Sequence, residues 1–348
     1  MDIFKNSIKK KIFEPLKLNN LTLKNRLLRS ATWEGIAHED GSLDEIIYTI
    51  YEELAKGGIG GIITGFTSVA SNDKYIEGQM RLSEDKLIPQ YKKLTDIVHK
   101  ENCPIIAQIA LGAYYKGSNE VEIDDMTEEE IKDVINLFIK AAERAKKANY
   151  DGVQIHAAHF FFLSRFISPI VNHRKDKYGG STQNRIRILI EILKGIKDKN
   201  LGLHISLKIN SNDFYEGGIE EEGCLEICKM MANEGIDSID ISGNGTSRSR
   251  IKAHVNEAYF KKCAEKVAES VNVPIALVGG IRTKKTIEDI LEKTKIEIIS
   301  LSRPLVNDPD FPKKMECGDI EDSKCISCNG CYRSKCHRCV FNKKKIKK

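Results

Sequence analysis

The chain has 348 residues, 41% of them hydrophobic and 30% charged, enough to bury a large core as one big α/β unit or two ordinary domains. Its formal charge of +5 is local, because the eight Lys and Arg residues from Tyr332 to Lys348 leave 47 basic against 50 acidic groups in residues 1–331. That balance excludes a nucleic-acid footprint, MDIFKNSIKKKIF lacks the apolar stretch of a secretion signal, and no apolar run is long enough to span a bilayer.

In chain order, Lys17–Leu23 reads as a hairpin with an Asn-Asn turn, placed to plug the floor of a barrel. Eight short, nearly all-apolar runs follow as predicted strands, near Arg26–Ala31, Gly61–Thr64, Ile105–Ile109, Gly152–His156, Ile205–Ile209, Ser238–Ser242, Ile275–Val278 and Ile298–Leu301. Helices are predicted between them near Asp44–Lys56, Lys86–Glu101, Glu128–Asn149, Gln183–Lys199, Glu220–Glu234, Glu257–Ser270 and Lys284–Lys293. Thr127 followed by Glu130 is a capping box, and Gly57 and Asn149 are helix stops. Eight such units favour a closed (β/α)8 TIM barrel. A doubly wound sheet would want a glycine-rich loop after a strand, whereas Gly57–Gly61 precedes its strand. The repeat fills residues 1–315, and residues 316–348 form a short cysteine-rich extension ending in a solvated basic tail.

Chemistry concentrates where such a barrel keeps it, at the carboxyl ends of the strands. His156 and His159 follow the fourth strand, just before a long loop with Ser168-Pro169 and Gly179-Gly180, after which Ser181 opens a helix. Gln108 ends the third strand, and Lys208 sits in an otherwise apolar fifth strand, where a buried ammonium requires an anion. Gly279-Gly280 after the seventh strand and Ser302-Arg303 after the eighth suit a phosphate. Together these residues make a polar ring for a flat heterocycle carrying a phosphate. Five of the ten cysteines crowd between Cys325 and Cys339; without a secretion signal they read as metal or cluster ligands in a reducing cytoplasm. The other five read as small apolar side chains.

Phe13-Glu14-Pro15-Leu16, Lys24-Asn25-Arg26, Asp151 to His156, Ser168-Pro169, Tyr178 to Ser181, Asn184-Arg185 and Arg303-Pro304 stand in the order and spacing of a known family. Over about residues 12–315 the chain resembles the Old Yellow Enzyme group of FMN-dependent oxidoreductases. The resemblance implies FMN bound by Ala31, Thr32, Gly65, Phe66, Gln108, Lys208, Gly279, Gly280, Ser302 and Arg303, with Lys208 beside the flavin N1–O2 edge. It also implies NADH or NADPH as reductant and a substrate carbonyl held by His156 and His159, so that hydride from flavin N5 reaches an α,β-unsaturated carbonyl or similar electrophile. Three departures stand out. Phe161 replaces the Tyr that donates a proton, leaving Tyr114, Tyr115, Tyr178 and His254 as candidate donors. Trp33 occupies a flavin-tuning position usually held by Thr or Cys. The stretch from Gln108 to Tyr114 keeps the family's Gln but not its His and Arg.

Cys325, Cys328, Cys331 and Cys339 resemble the cluster-binding segment of the branch that includes 2,4-dienoyl-CoA reductase and trimethylamine dehydrogenase. This implies a [4Fe–4S] cluster, with zinc as the alternative for four cysteines at such spacing. The second flavin domain of that branch is not expected within these 348 residues. Two further readings remain open: a flavin/iron–sulfur electron-transfer subunit working with a partner protein, and a non-catalytic barrel that binds a partner. Self-association into a homo-oligomer is left open as well.

Overall fold

The computed structural model describes residues 11–245 and 247–342. Most of the segment read for a secretion signal and the last six residues of the basic tail lie outside them. Eight parallel strands run Leu27–Arg29 (β1), Gly61–Ile63 (β2), Ile105–Ala110 (β3), Gly152–Ala157 (β4), His204–Asn210 (β5), Ser238–Ser242 (β6), Ile275–Leu277 (β7) and Ile298–Leu301 (β8). Each pairs with the next, and β8 pairs back onto β1, so the sheet closes into a barrel.

The helices lie outside as α1 (Glu45–Lys56), α2 (Ile88–His99), α3 (Glu128–Lys147), α4 (Arg187–Asp198), α5 (Glu221–Asn233), α6 (Lys261–Ser270), α7 (Lys284–Lys293) and α8 (Phe311–Glu316). In α3 the buried residues Ile131, Val134, Ile135, Phe138, Ala141, Ala142 and Ala145 recur every three or four positions, which puts one face on the sheet. Its capping box is formed, with Thr127 and Glu130 exchanging backbone-to-side-chain bonds of 2.8 and 3.2 Å. The hairpin Leu16–Leu18/Leu21–Leu23 closes the floor, packing its leucines against Leu28, Ile63, Ile106, Ala276 and Ile298. No helix among the described residues is long and apolar enough to cross a membrane.

Several boundaries differ from the expected ones for local reasons. The helix expected from Glu257 starts at Lys261, because the Glu257 carboxylate accepts from the backbone N–H of Arg282 and Thr283 and holds the loop after β7 instead. The helix expected over Gln183–Lys199 is two pieces meeting at Ile186, and a short helix at Phe162–Ile167 occupies part of the long loop after β4. The basic end is not all solvated, since Arg338 donates to Glu53 at 2.6 Å. Four of the scattered cysteines are buried as expected, but Cys317 is exposed. Burial pushes the Cys103 thiol up to about 12, so it packs rather than reacts.

A polar cavity at the barrel mouth

The carboxyl ends of the strands enclose a cavity of about 270 Å³. Ala31, Thr32, Phe66, Gln108, His156, His159, Lys208, Gly280, Ser302 and Arg303 all line it. Gly65 and Gly279, expected beside them, do not. Gly65 donates its N–H to Tyr51 behind the wall, and Gly279 backs onto Phe260 and Tyr259.

On adjacent strands Lys208 stands level with His156 and with Asp240. Its Nζ donates to Asp240 Oδ2 at 2.5 Å and to Ser30 Oγ at 3.3 Å. The anion required opposite this lysine is therefore, in the first instance, a carboxylate of the protein. Gln108 donates to Gln154 at 2.8 Å, and Gln154 in turn reaches Asp240 at 3.5 Å. Lys208, Asp240, Gln154 and Gln108 thus form one buried chain across β5, β6, β4 and β3, which fixes the ammonium in place. Sequence reasoning missed Asp240 and Gln154. Their signal was a polar residue in the middle of an apolar strand.

The His156 and His159 rings meet edge-on, 5.1 Å apart. His159 Nε2 contacts Ser242 Oγ at 2.7 Å, and its backbone N–H donates to Asn210 Oδ1 at 3.0 Å. His159 and Phe160 both adopt left-handed backbone (φ +64 and +59), a strained turn at the end of β4. Burial holds the His156 imidazole well below its ordinary pKa, with His159 and Lys208 adding repulsion, and burial with Lys208 brings His159 down to about 3. Both rings are neutral near pH 7. His156 Nδ1 is buried and has no hydrogen-bond partner, as is Ser300 Oγ in the same cavity wall.

Phe161 lies against these rings, 5.0 Å from His156 and 4.8 Å from Phe66, and gives that wall no proton donor. The four candidate donors lie elsewhere. Tyr178 bonds to Glu191, His254 to Asp322, and Tyr114 and Tyr115 line a separate groove. The phenol that does line the cavity is Tyr332, from the cysteine-bearing segment. Trp33 also lines it, its indole N–H donating to Glu77 O at 3.0 Å.

At the opposite end Gly280 has φ +72, and a Cβ there would sit 2.7 Å from the Tyr259 ring, so the loop after β7 requires glycine. Arg303 donates to Arg248 O at 2.6 Å and to Asn329 Oδ1 at 2.8 Å. Arg282 donates to Cys325 O and Ser327 Oγ. These bonds lay the cysteine-bearing segment along the cavity's edge. Cys325, Cys328, Cys331 and Cys339 line one small pocket beside Arg303, while Cys336 lies in another with Arg29 and His337. Gly330 N–H and the Asn307 amide point at the Cys328 and Cys339 sulfurs at 3.4 and 3.2 Å. Among the described residues no three His, Cys, Asp or Glu side chains are gathered closely enough to hold an ion.

Comparison with known proteins bears on this arrangement. The chain is 31% identical over 345 residues to an NADH oxidase of Thermoanaerobacter brockii, covering 92% of this chain but 53% of that protein. It is 30% identical over 321 residues to an NADPH dehydrogenase of Listeria welshimeri, covering 87% of this chain and 93% of that one. A solved complex of 2-naphthoyl-CoA reductase superposes with a TM-score of 0.83 at 28% identity, covering 91% of this chain and 54% of that one. The chain thus spans about half the length of some relatives and nearly all of others. The profile of one enzyme family matches residues 11–125 and 110–321, the whole barrel and the cavity lining apart from Tyr332. The chain belongs to that family, the NADH:flavin oxidoreductase / NADH oxidase family.

Proposed function

We propose that the protein is an FMN-dependent NAD(P)H oxidoreductase that reduces an α,β-unsaturated carbonyl or similar electrophile. The observation that carries this reading is His156 Nδ1, buried without a partner beside His159 in the same cavity as Lys208 and Arg303. A buried polar atom left unpaired costs about 1–3 kcal/mol unless a ligand meets it. The groups present fit a flavin. Lys208, fixed by Asp240, offers a cation to the ring's pyrimidine edge, Gln108 offers an amide, and Gly280, Ser302 and Arg303 gather at the far end for the phosphate. Bound there, FMN would supply hydride-transfer chemistry between NADH or NADPH and the acceptor. The neutral imidazoles hold and polarise the acceptor's oxygen. Phe161 and Phe66 give the wall beside it no proton donor, so the balancing proton comes from another residue or from water. In this reading residues 1–315 are the catalytic barrel of a cytoplasmic enzyme.

The test is an anaerobic visible spectrum of the purified protein before and after each nicotinamide. Yellow protein that bleaches is the expected result. Colourless protein that takes up no FMN would sink the reading.

One observation favours a second reading, in which flavin and an iron–sulfur cluster pass electrons to a partner. Cys325, Cys328, Cys331 and Cys339 line one pocket beside Arg303, with N–H donors on the Cys328 and Cys339 sulfurs, the ligand type of a [4Fe–4S] cluster or zinc, although among the described residues no three of these thiols stand close enough together to hold an ion. Here residues 316–348 are the metal-binding extension. Iron and sulfide in the preparation would support it, and zinc without iron would discredit it.

A further inference from the structure

Behind β1, outside the cavity, lies an ionic cluster that this reading leaves unused. Arg29, Glu34 and Tyr51 are 4%, 6% and 1% exposed. Glu34 Oε1 accepts from Tyr51 OH at 3.2 Å and lies 3.9 Å from Arg29 Nη2. From this carboxylate the contacts fan out to three loops. Tyr51 OH accepts the Gly65 N–H at 2.9 Å, after β2. Arg29 Nη1 donates to Thr32 Oγ1, after β1, and reaches Ser302 O at 3.5 Å, after β8. Thr32 and Ser302 are themselves joined, hydroxyl to hydroxyl, at 2.8 Å. The packing leaves no slack, since a Cβ on Gly65 would lie 2.3 Å from Glu34 Oε2. Thr32, Ser302 and Phe66, the neighbour of Gly65, all face the cavity, and Glu34 does not.

We propose that Glu34 is a positioning residue for the flavin: through Arg29 and Tyr51 it holds the ends of β1, β2 and β8 in the register that presents Thr32 and Phe66 to the ring and Ser302 to the phosphate. The proposal rests on the reading that this cavity takes FMN. A buried carboxylate of this kind contributes more to the choice of one geometry than to net stability. Because burial raises the Glu34 carboxyl to about 7 against the opposing pull of Arg29 and Tyr51, the hold loosens as the group protonates in the neutral range. Arg29 faces it from β1 and Tyr51 from α1, with Tyr150 behind. Across the small cavity it shares with Thr32 stand the Glu53–Arg338 pair, Cys336 and His337.

The test uses the full chain, stripped of flavin, with FMN itself as probe. Dissociation constants are read from flavin fluorescence for wild type and Glu34→Gln between about pH 5.5 and about pH 8.5. At the alkaline end the variant should bind about tenfold more weakly, the loss expected when a charge-assisted hydrogen bond goes. At the acid end, where wild-type Glu34 is itself neutral, the two should converge. Ionisation of the FMN phosphate is common to both proteins and cancels in the ratio. A ratio that stays flat, at one or at any other value, overturns the proposal. Wild type that binds no FMN at any pH removes the flavin reading and this proposal with it, whereas FMN binding with a flat ratio removes the proposal alone. Should Glu34→Gln fail to fold, Tyr51→Phe keeps the carboxylate and deletes its hydrogen bond. The pH midpoint of wild-type FMN affinity should then move upward, and an unmoved midpoint is equally fatal.

Discussion

The two ends of the barrel are built from the same eight strands and have opposite characters. At the floor, Leu16, Leu18, Leu21 and Leu23 of the hairpin meet Leu28, Ile63, Ile106, Ala276 and Ile298, with no charge among them. At the mouth, the continuations of those strands carry Lys208, Asp240, Gln154 and two histidines, with His156 Nδ1 and Asp240 Oδ1 buried without a partner. The floor buries apolar side chains alone, whereas the mouth buries polar atoms as well. Stability is held at one end so that unsatisfied groups can be kept at the other.

The contrast is broken most severely at Lys208. Lys208→Met should strand Asp240 as an uncompensated buried charge and cost about 3–5 kcal/mol in chemical denaturation, and adding Asp240→Asn should recover much of that loss. His156→Ala should leave the fold intact and lower kcat/KM for the acceptor about 10²–10³-fold, as loss of one preorganised donor does. An unchanged kcat/KM would move the carbonyl-holding role elsewhere. At the floor, Leu23→Ala should cost about 2–5 kcal/mol and lower Tm while leaving flavin affinity untouched. A flavin defect there would mean the two ends are coupled. Thr127→Ala, on the rim of α3, should cost about 1 kcal/mol by removing the capping box. The smallest effect concerns pH. An ordinary imidazole titrates near 6.5, but burial keeps both histidines deprotonated well below that, so acceptor turnover should show no histidine limb between about pH 5.5 and about pH 8.

What the sequence made legible follows the same division. Apolar runs such as Ile105–Ala110 announce buried parallel strands because both faces are covered, and the leucine hairpin ahead of β1 announces a plug. Lys208 was legible as a charge in need of a partner. Its partner was not, since Asp240 lies 32 positions away and meets it only through the β5–β6 register. Gly65, implied by the family resemblance, and Gly279, read from its place after a strand, were expected in the cavity, but which way a loop turns depends on neighbours such as Tyr51 and Tyr259. Glu257 carried the helix-favouring pattern of its segment, yet its carboxylate is committed to the loop after β7, a long-range demand that local periodicity does not register.

Arg303 uses one guanidinium nitrogen on Asn329, and Arg282 reaches past the barrel to Cys325 and Ser327. Cutting the chain after α8 would therefore not yield a simpler version of the same protein. It would take Asn329 from Arg303 and both Cys325 and Ser327 from Arg282 at the edge of the pocket, and change the electric field at its entrance. Comparisons between long and short members of such a family should weigh that shift before ascribing their differences to whatever follows the barrel.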